Sequence, residues 1–358
     1  MTVRVFAART ETGWQFLQGG YARIGPGGDA NALAMQRGGS VADVQIISDR
    51  PVPEPKGLSA APDPSGLRKA RTESTALPSR AADNLFWMGR YIVRFEDTAR
   101  LLRAYHLRLA ITDTRDDRLL SMISDTLGHI GIDTRETIPR GLRDRLAAAH
   151  NCASKVRDRF STDGWFALSD LVKNTAQMVE TATPGDDTAR AMSILLRKTA
   201  GFSGIVTDNI YRFYGWRFLS IGRAMERADS IASVLLNFAQ PQAPDGALDI
   251  ALEVADGVMT HRRRYALEAT RDSVVDLLAQ DTGNPRSILF QIREMQHLAE
   301  GLPGAAMSAR PTPIVREILP VRTQLEVLEP IDLTKKSLQS IRLAVTQASD
   351  RLAEAHLR

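Results

Sequence analysis

Two stretches of this chain place arginines and carboxylates at the same spacing. The first runs Gly89-Arg90-Tyr91-Ile92-Val93-Arg94-Phe95-Glu96 and the second Gly222-Arg223-Ala224-Met225-Glu226-Arg227-Ala228-Asp229, so both read Gly-Arg-x-x-x-Arg-x-acid. On a helix, arginines four apart share one face, and a glycine just before the first lets another backbone approach closely. Two kinds of chemistry are open to such groups. The guanidiniums can pair with carboxylates across a bundle, because a buried arginine needs its donors satisfied. Alternatively, some donors stay free to hold a carboxylate or a phosphate. Within the copies, Glu96 is expected to pair with Arg100, and Arg223 with Glu226. Arg90, Arg94, Glu96, Arg223, Glu226, Arg227 and Asp229 form the candidate anion-binding or polar network.

The elements that must carry these residues are helices. Leu85-Phe86 aligns with Phe218-Leu219, and Ala99, Leu101 and Leu102 with Ala232, Val234 and Leu235, so the duplication spans more than four turns. From Ser79, placed to cap a helix start, Leu85, Met88, Ile92, Phe95 and Ala99 fall on one stripe of period 3.6. Further helices are predicted at 117–131, 141–159, 163–183, 187–206, 215–239, 247–279, 285–300, 313–328 and 332–356, with Asn284 capping the helix that Pro285 begins. The expected fold is mainly α, a multi-helix up-and-down bundle over 79–358 with the Gly-Arg helix duplicated inside it. Residues 1–50 differ. Eight of the 25 glycines fall there, and Val3-Arg4-Val5-Phe6 and Val44-Gln45-Ile46-Ile47 read as pieces of about three short strands. This β-rich segment buries too little to form a core alone. Residues 51–78 hold six of the 17 prolines and read as a linker.

Composition excludes several classes. Forty-six Lys and Arg against 42 Asp and Glu give a net charge of +4, spread along the chain without a basic stripe interleaved with aromatics, so no nucleic-acid partner is expected. No apolar run reaches the ~20 residues that span a bilayer, and Val3-Arg4-Val5-Phe6 is too brief for a signal-peptide core. A cytoplasmic chain without a membrane partner is expected. The single cysteine, Cys152, reads as a small packed residue rather than a nucleophile. The six histidines show no metal-ligand spacing, so no metal is expected, and Gly25-Pro26-Gly27-Gly28 lacks the ending of a P-loop. His261-Arg262-Arg263-Arg264-Tyr265 could meet an anion, but consecutive helical positions point in different directions.

The stretch from Leu77-Pro78-Ser79-Arg80 through Asp83-Asn84 to Met88-Gly89-Arg90-Tyr91 resembles the opening of the Alpha-E family of bacterial helical domains of unknown function. Gly215-Trp216-Arg217-Phe218-Leu219, the second Gly-Arg motif, Arg262-Arg263-Arg264-Tyr265 and Asn284-Pro285-Arg286-Ser287 with Phe290-Gln291 extend the resemblance across nearly all of 77–358. Val93 departs from it, since the family usually has Glu there. Residues 3–9, Gly19-Gly20 with Ala22-Arg23, and Met35-Gln36-Arg37-Gly38-Gly39 through Asp43 to Ser48-Asp49 are similar to the end of a circularly permuted ATP-grasp domain. Such enzymes activate a carboxylate with ATP and pass it to an amine. Only the last part of that domain is expected here, and Ala42 stands where the family usually has Lys. The two resemblances add Arg9, Arg37, Arg263, Asn284 and Arg286 as secondary candidates.

The function implied is a non-autonomous accessory or binding domain of an ATP-grasp-type peptide or amide ligase system. It would not be catalytic alone. ATP and Mg would enter only through a partner ATP-grasp domain or a protein encoded nearby, with a peptide or carboxylate as ligand. The alternatives are a stand-alone interaction scaffold whose ATP-grasp segment is vestigial, and an enzyme using the paired arginines and acids on a small anionic substrate.

Overall fold

The computed structural model describes residues 2–4, 6–10, 13–16, 20–24, 40–44, 77–111, 118–265, 268–305 and 310–357. It divides into two compact units, Met1–Ala70 and Arg71–Arg358. In the first unit, β1 (Thr2–Arg4), β4 (Gly20–Ile24) and β5 (Ser40–Val44) form an antiparallel sheet with β4 central, its Ala22 opposite Val3 on one side and Ala42 on the other. A separate hairpin joins β2 (Ala7–Thr10) to β3 (Gly13–Phe16) in the register Thr10 opposite Gly13. Among the described residues the hairpin makes five strands where about three were expected. Gly13 takes a φ of 122°, a conformation that favours glycine, as the chain enters β3. Gln45, Ile46 and Ile47, read as strand, and residues 51–76 of the expected linker lie outside the described residues.

The second unit is helical, and the fold as a whole is mainly α with a small N-terminal β segment. Its helices are α1 (Ser79–Ile111), α2 (Arg118–His129), α3 (Arg140–Ser154), α4 (Thr162–Thr181), α5 (Asp186–Asn209) and α6 (Tyr214–Phe238). They continue with α7 (Ala247–Val254), α8 (Val258–Tyr265), α9 (Arg271–Val275), α10 (Ile288–Glu300), α11 (Pro313–Val327) and α12 (Lys335–Leu352). The bundle is organised on α1 and α6, which carry the two Gly-Arg motifs and pack most extensively on each other; α3 and α5 cover α1, while α10 and α12 cover α6. The stripe read from Leu85 to Ala99 is buried, with Leu85, Met88, Phe95 and Ala99 fully enclosed. Apolar positions are buried on several sides of α1, as befits a helix surrounded by others.

Two expectations fail locally, for identifiable reasons. The predicted helix 247–279 is broken into α7, α8 and α9. Asp256, with a φ of 58°, followed by Gly257 ends the first piece, and Thr270 opens the last by accepting the Ser273 amide in a capping box. The helix predicted from Pro285 begins three residues later. Ser287 caps it by accepting the Phe290 amide at 3.1 Å, while the Asn284 side chain donates to Leu277 O at 2.8 Å and accepts the Arg286 amide at 3.0 Å. That turn holds Arg286 outside the helix, where its side chain reaches α1.

Candidate functional site

Where α1 crosses α6 the two glycines do reciprocal work. A methyl group at Gly89 would strike the Leu219 carbonyl, and one at Gly222 would strike the Phe86 carbonyl. Leu219 and Phe86 hold the same place in the two motif copies, so the crossing is a pseudo-twofold. It brings the backbones close enough for arginines of each helix to meet acids of the other.

On one side of the pseudo-axis the charges are satisfied. Glu226 accepts from Arg90 Nε at 2.7 Å through one oxygen and from Arg94 Nε through the other. Arg90 also donates to Ser349 Oγ on α12 at 3.2 Å and lies 5.3 Å from the centre of the Trp87 ring. Asp229 accepts both Nε and Nη2 of Arg342, at 2.7 and 3.1 Å. The expected Arg223–Glu226 pair does not form. Glu226 turns across the interface instead, where two guanidiniums of α1 give it more than one helical neighbour could.

Near the other end of the crossing, Glu96 lies among three arginines: Arg100 at 3.1 Å, as expected, Arg227 at 3.7 Å, and Arg286, which hydrogen-bonds to it. Burial alone would raise its pKa, but Arg286, Arg227 and Arg100 outweigh that and hold it at about 2. Asp97 behaves oppositely. Burial and the neighbouring Glu96 raise it to about 6, against the pull of Arg286, the Ser230 hydroxyl and Arg227.

The two carboxyls therefore titrate with opposite effects on stability. Glu96, depressed from 4.5, contributes stability above about pH 4.5 that is lost as pH falls toward 2. Asp97, raised from 3.8, favours folding at low pH, and that contribution is lost as pH rises through 6. Asp97→Asn is thus expected to stabilise the chain by about 1–3 kcal/mol at pH 8 and to give no gain at pH 4. Urea unfolding at the two pH values checks this.

Arg223 is the odd member of the set. It is the counterpart of Arg90, and its stem packs over Gly89. Val93, fully buried, occupies the position in α1 that Glu226 occupies in α6. The carboxylate that would complete the second half is missing. Among the described residues Arg223 makes no hydrogen bond or ion pair, and Nε of Arg227 is buried without a partner. Burial and the neighbouring Arg227 bring Arg223 down to about 10, against the attraction of Glu96. Both arginines line a cleft of about 290 Å³ between α6 and α10, whose walls include Trp216, Phe290 and Gln291. The Arg212 guanidinium sits 4.5 Å from the Trp216 ring centre at its edge.

The secondary candidates separate. Arg286 joins the network and Asn284 shapes the turn that delivers it. Arg263 is exposed on α8, Arg9 lies in β2, and Arg37 is outside the described residues. In the basic run, His261 is buried and 2.7 Å from Ser273 Oγ, and Arg264 pairs with Asp276 and Asp281. Asp97, Arg342 and Arg145 of α3, which donates to Thr98 Oγ1 on α1 and to Ile130 O at 2.6 Å, escaped notice because their partners come from other elements. Only the alignment of Asp97 with Ser230 in the two copies could have flagged that pair. Cys152 is half-buried, and burial raises its thiol. A wider cleft of about 850 Å³ runs beside α7 and α8, with Arg262 and Arg271 in its lining. Among the described residues no three His, Cys, Asp or Glu side chains are grouped to hold a metal, and no helix is long and apolar enough to cross a membrane.

Comparison with known proteins agrees with this picture of the helical unit. An uncharacterized protein of Mycobacterium tuberculosis is 25% identical over 307 residues, a match covering 75% of this chain and 34% of the relative. A protein of Mycobacterium bovis, also uncharacterized, matches to the same extent. The chain thus spans about a third of the length of the curated relatives it matches. No solved structure matches it. Residues 77–357 match the Alpha-E model, described as a predicted alpha-helical domain with a conserved ER motif. Glu226-Arg227 is the single place in this sequence where Glu directly precedes Arg, and it lies at the helix crossing. The chain belongs to the Alpha-E family.

Proposed function

We propose that this chain is a binding domain that holds the carboxylate of a small ligand on Arg223 and Arg227. The observation that carries the reading is the unfinished half of the pseudo-symmetric network: Val93 stands where the other copy has Glu226, and the guanidinium left without a partner lines a cleft. A half-buried arginine with unused donors binds a planar carboxylate through paired, charge-assisted hydrogen bonds. The ligand thereby takes the place of the missing side chain.

The binding domain serves an ATP-grasp-type carboxylate–amine ligase as an accessory. The resemblance of residues 3–9, 19–23 and 35–49 to the end of such a domain supports this, as do the exposed Trp14 and Phe16 on one face of β3. The greater length of the relatives agrees with it. ATP and magnesium, with the phosphoryl chemistry they supply, enter through the partner. This chain's own residues bind and orient the anionic end.

Calorimetric titration of the purified chain with 3-phenylpropanoate tests the site. Arg223→Gln is expected to weaken binding by roughly tenfold or more, with an unchanged circular dichroism spectrum. Val93→Glu, which supplies the absent carboxylate from within, should compete with the ligand and weaken binding comparably. Retention of wild-type affinity in Arg223→Gln sinks the reading, as does the absence of any binding by the wild-type chain.

A further inference from the structure

The same cleft carries a second unpaired charge, of opposite sign. Along α6, Trp216, Ser220, Arg223 and Arg227 face it at helical spacing, and along α10 Phe290, Gln291, Glu294 and Leu298 do the same. The helices run antiparallel. The start of α10 lies at the Arg227 end, where Arg286 meets Glu96 alongside Arg227, and its last turn lies at the other end, where Arg217 Nη1 donates to Leu298 O at 3.2 Å. Glu294 is therefore placed midway along the cleft. Among the described residues its carboxylate makes no hydrogen bond or ion pair, although Arg223 and Arg227 line the same space.

An acid facing an anion site restricts what that site can hold. A dianionic phosphate would gain from the two arginines but meet Glu294 as a like charge. A ligand with a carboxylate at one end and a cation a few bonds away satisfies both. The cleft lies at the lower edge of the ~300–1,000 Å³ usual for small-molecule sites, which suits a ligand of few atoms, and Trp216 and Phe290 give it an apolar wall.

We infer that the ligand is a free α-amino acid with an apolar side chain. Its carboxylate lies on Arg223 and Arg227, its ammonium on Glu294, and its side chain against the aromatic wall. The inference rests on the carboxylate-binding reading above and adds the class of ligand.

Titration of the full chain with L-phenylalanine, 3-phenylpropanoate and phenethylamine separates the two claims. The wild-type chain is expected to prefer L-phenylalanine over 3-phenylpropanoate by roughly tenfold, the worth of one charge-assisted contact, and to bind phenethylamine least. Glu294→Gln should bring the acid and the amino acid to within about twofold of each other. Equal binding of L-phenylalanine and 3-phenylpropanoate by the wild-type chain would overturn the amino-acid inference and leave the carboxylate site standing. A preference that survives in Glu294→Gln would do the same. Failure of both compounds to bind would remove the site itself.

Discussion

Gly222→Val and Gly89→Val are each expected to destabilise the helical unit by about 3 kcal/mol or more, through forced separation of the two central helices. Two effects of opposite sign compete at these positions. Within an isolated helix, glycine is about 1 kcal/mol worse than alanine, so filling it would normally help. At the crossing, even the first added carbon meets a backbone carbonyl of the opposite helix, and a carbonyl cannot swing aside as a side chain can. Overpacking therefore wins, and Gly→Ala at either site should already be destabilising. Gly201 and Gly204 on α5 provide the internal control. A methyl group there meets nothing within 4 Å, and both residues are exposed. Their alanine variants are expected to gain up to about 1 kcal/mol each. Urea unfolding of the four variants side by side tests whether contact, rather than helix propensity, decides the sign.

Removing Glu226 is the second large effect expected. Glu226→Ala leaves Arg90 and Arg94 facing each other without a carboxylate between them, and breaking a buried pair from one side costs about 3–5 kcal/mol. The two arginines should not share that loss equally. Arg90 has a side chain only 12% exposed, whereas that of Arg94 is 33% exposed. Double-mutant cycles with alanine at each position should give a coupling to Glu226 of about 2 kcal/mol for Arg90 and below about 1 kcal/mol for Arg94. Equal couplings would show that solvent screens the two pairs alike, contrary to their burial.

Much of this arrangement is written in local pattern. The repeat of glycine, arginine and acid marks both central helices, because a close crossing needs glycine and a charged seam needs residues four apart. The stripe from Leu85 to Ala99 is legible for the same reason. Elsewhere, periodicity misleads. α7 and α9 bury apolar residues at helical spacing while α8 between them buries only His261, so the apolar rhythm on either side suggests one helix, and the Asp256-Gly257 turn signal that interrupts it is a local feature. Pairing of charges is less legible still. Sequence distance suggests Arg223 for Glu226, because i,i+3 neighbours can touch, but two guanidiniums from another helix supply a better environment. Arg286 comes from a turn 190 residues beyond Glu96, and Glu294 gains meaning only when α10 lies against α6. No spacing rule joins residues brought together by tertiary packing.

The reciprocal glycine crossing has a consequence for how such a cleft can arise. When two separate copies of one helix meet on a true twofold axis, every residue is used twice, and an acid present on one side is present on both. Each arginine would then be neutralised and the seam would be inert. Because both helices belong to one polypeptide, position 93 can be valine while position 226 is glutamate. One half of the pseudo-symmetric pair closes on itself through Glu226, and the other leaves the Arg223 guanidinium without a carboxylate, at the edge of a cleft.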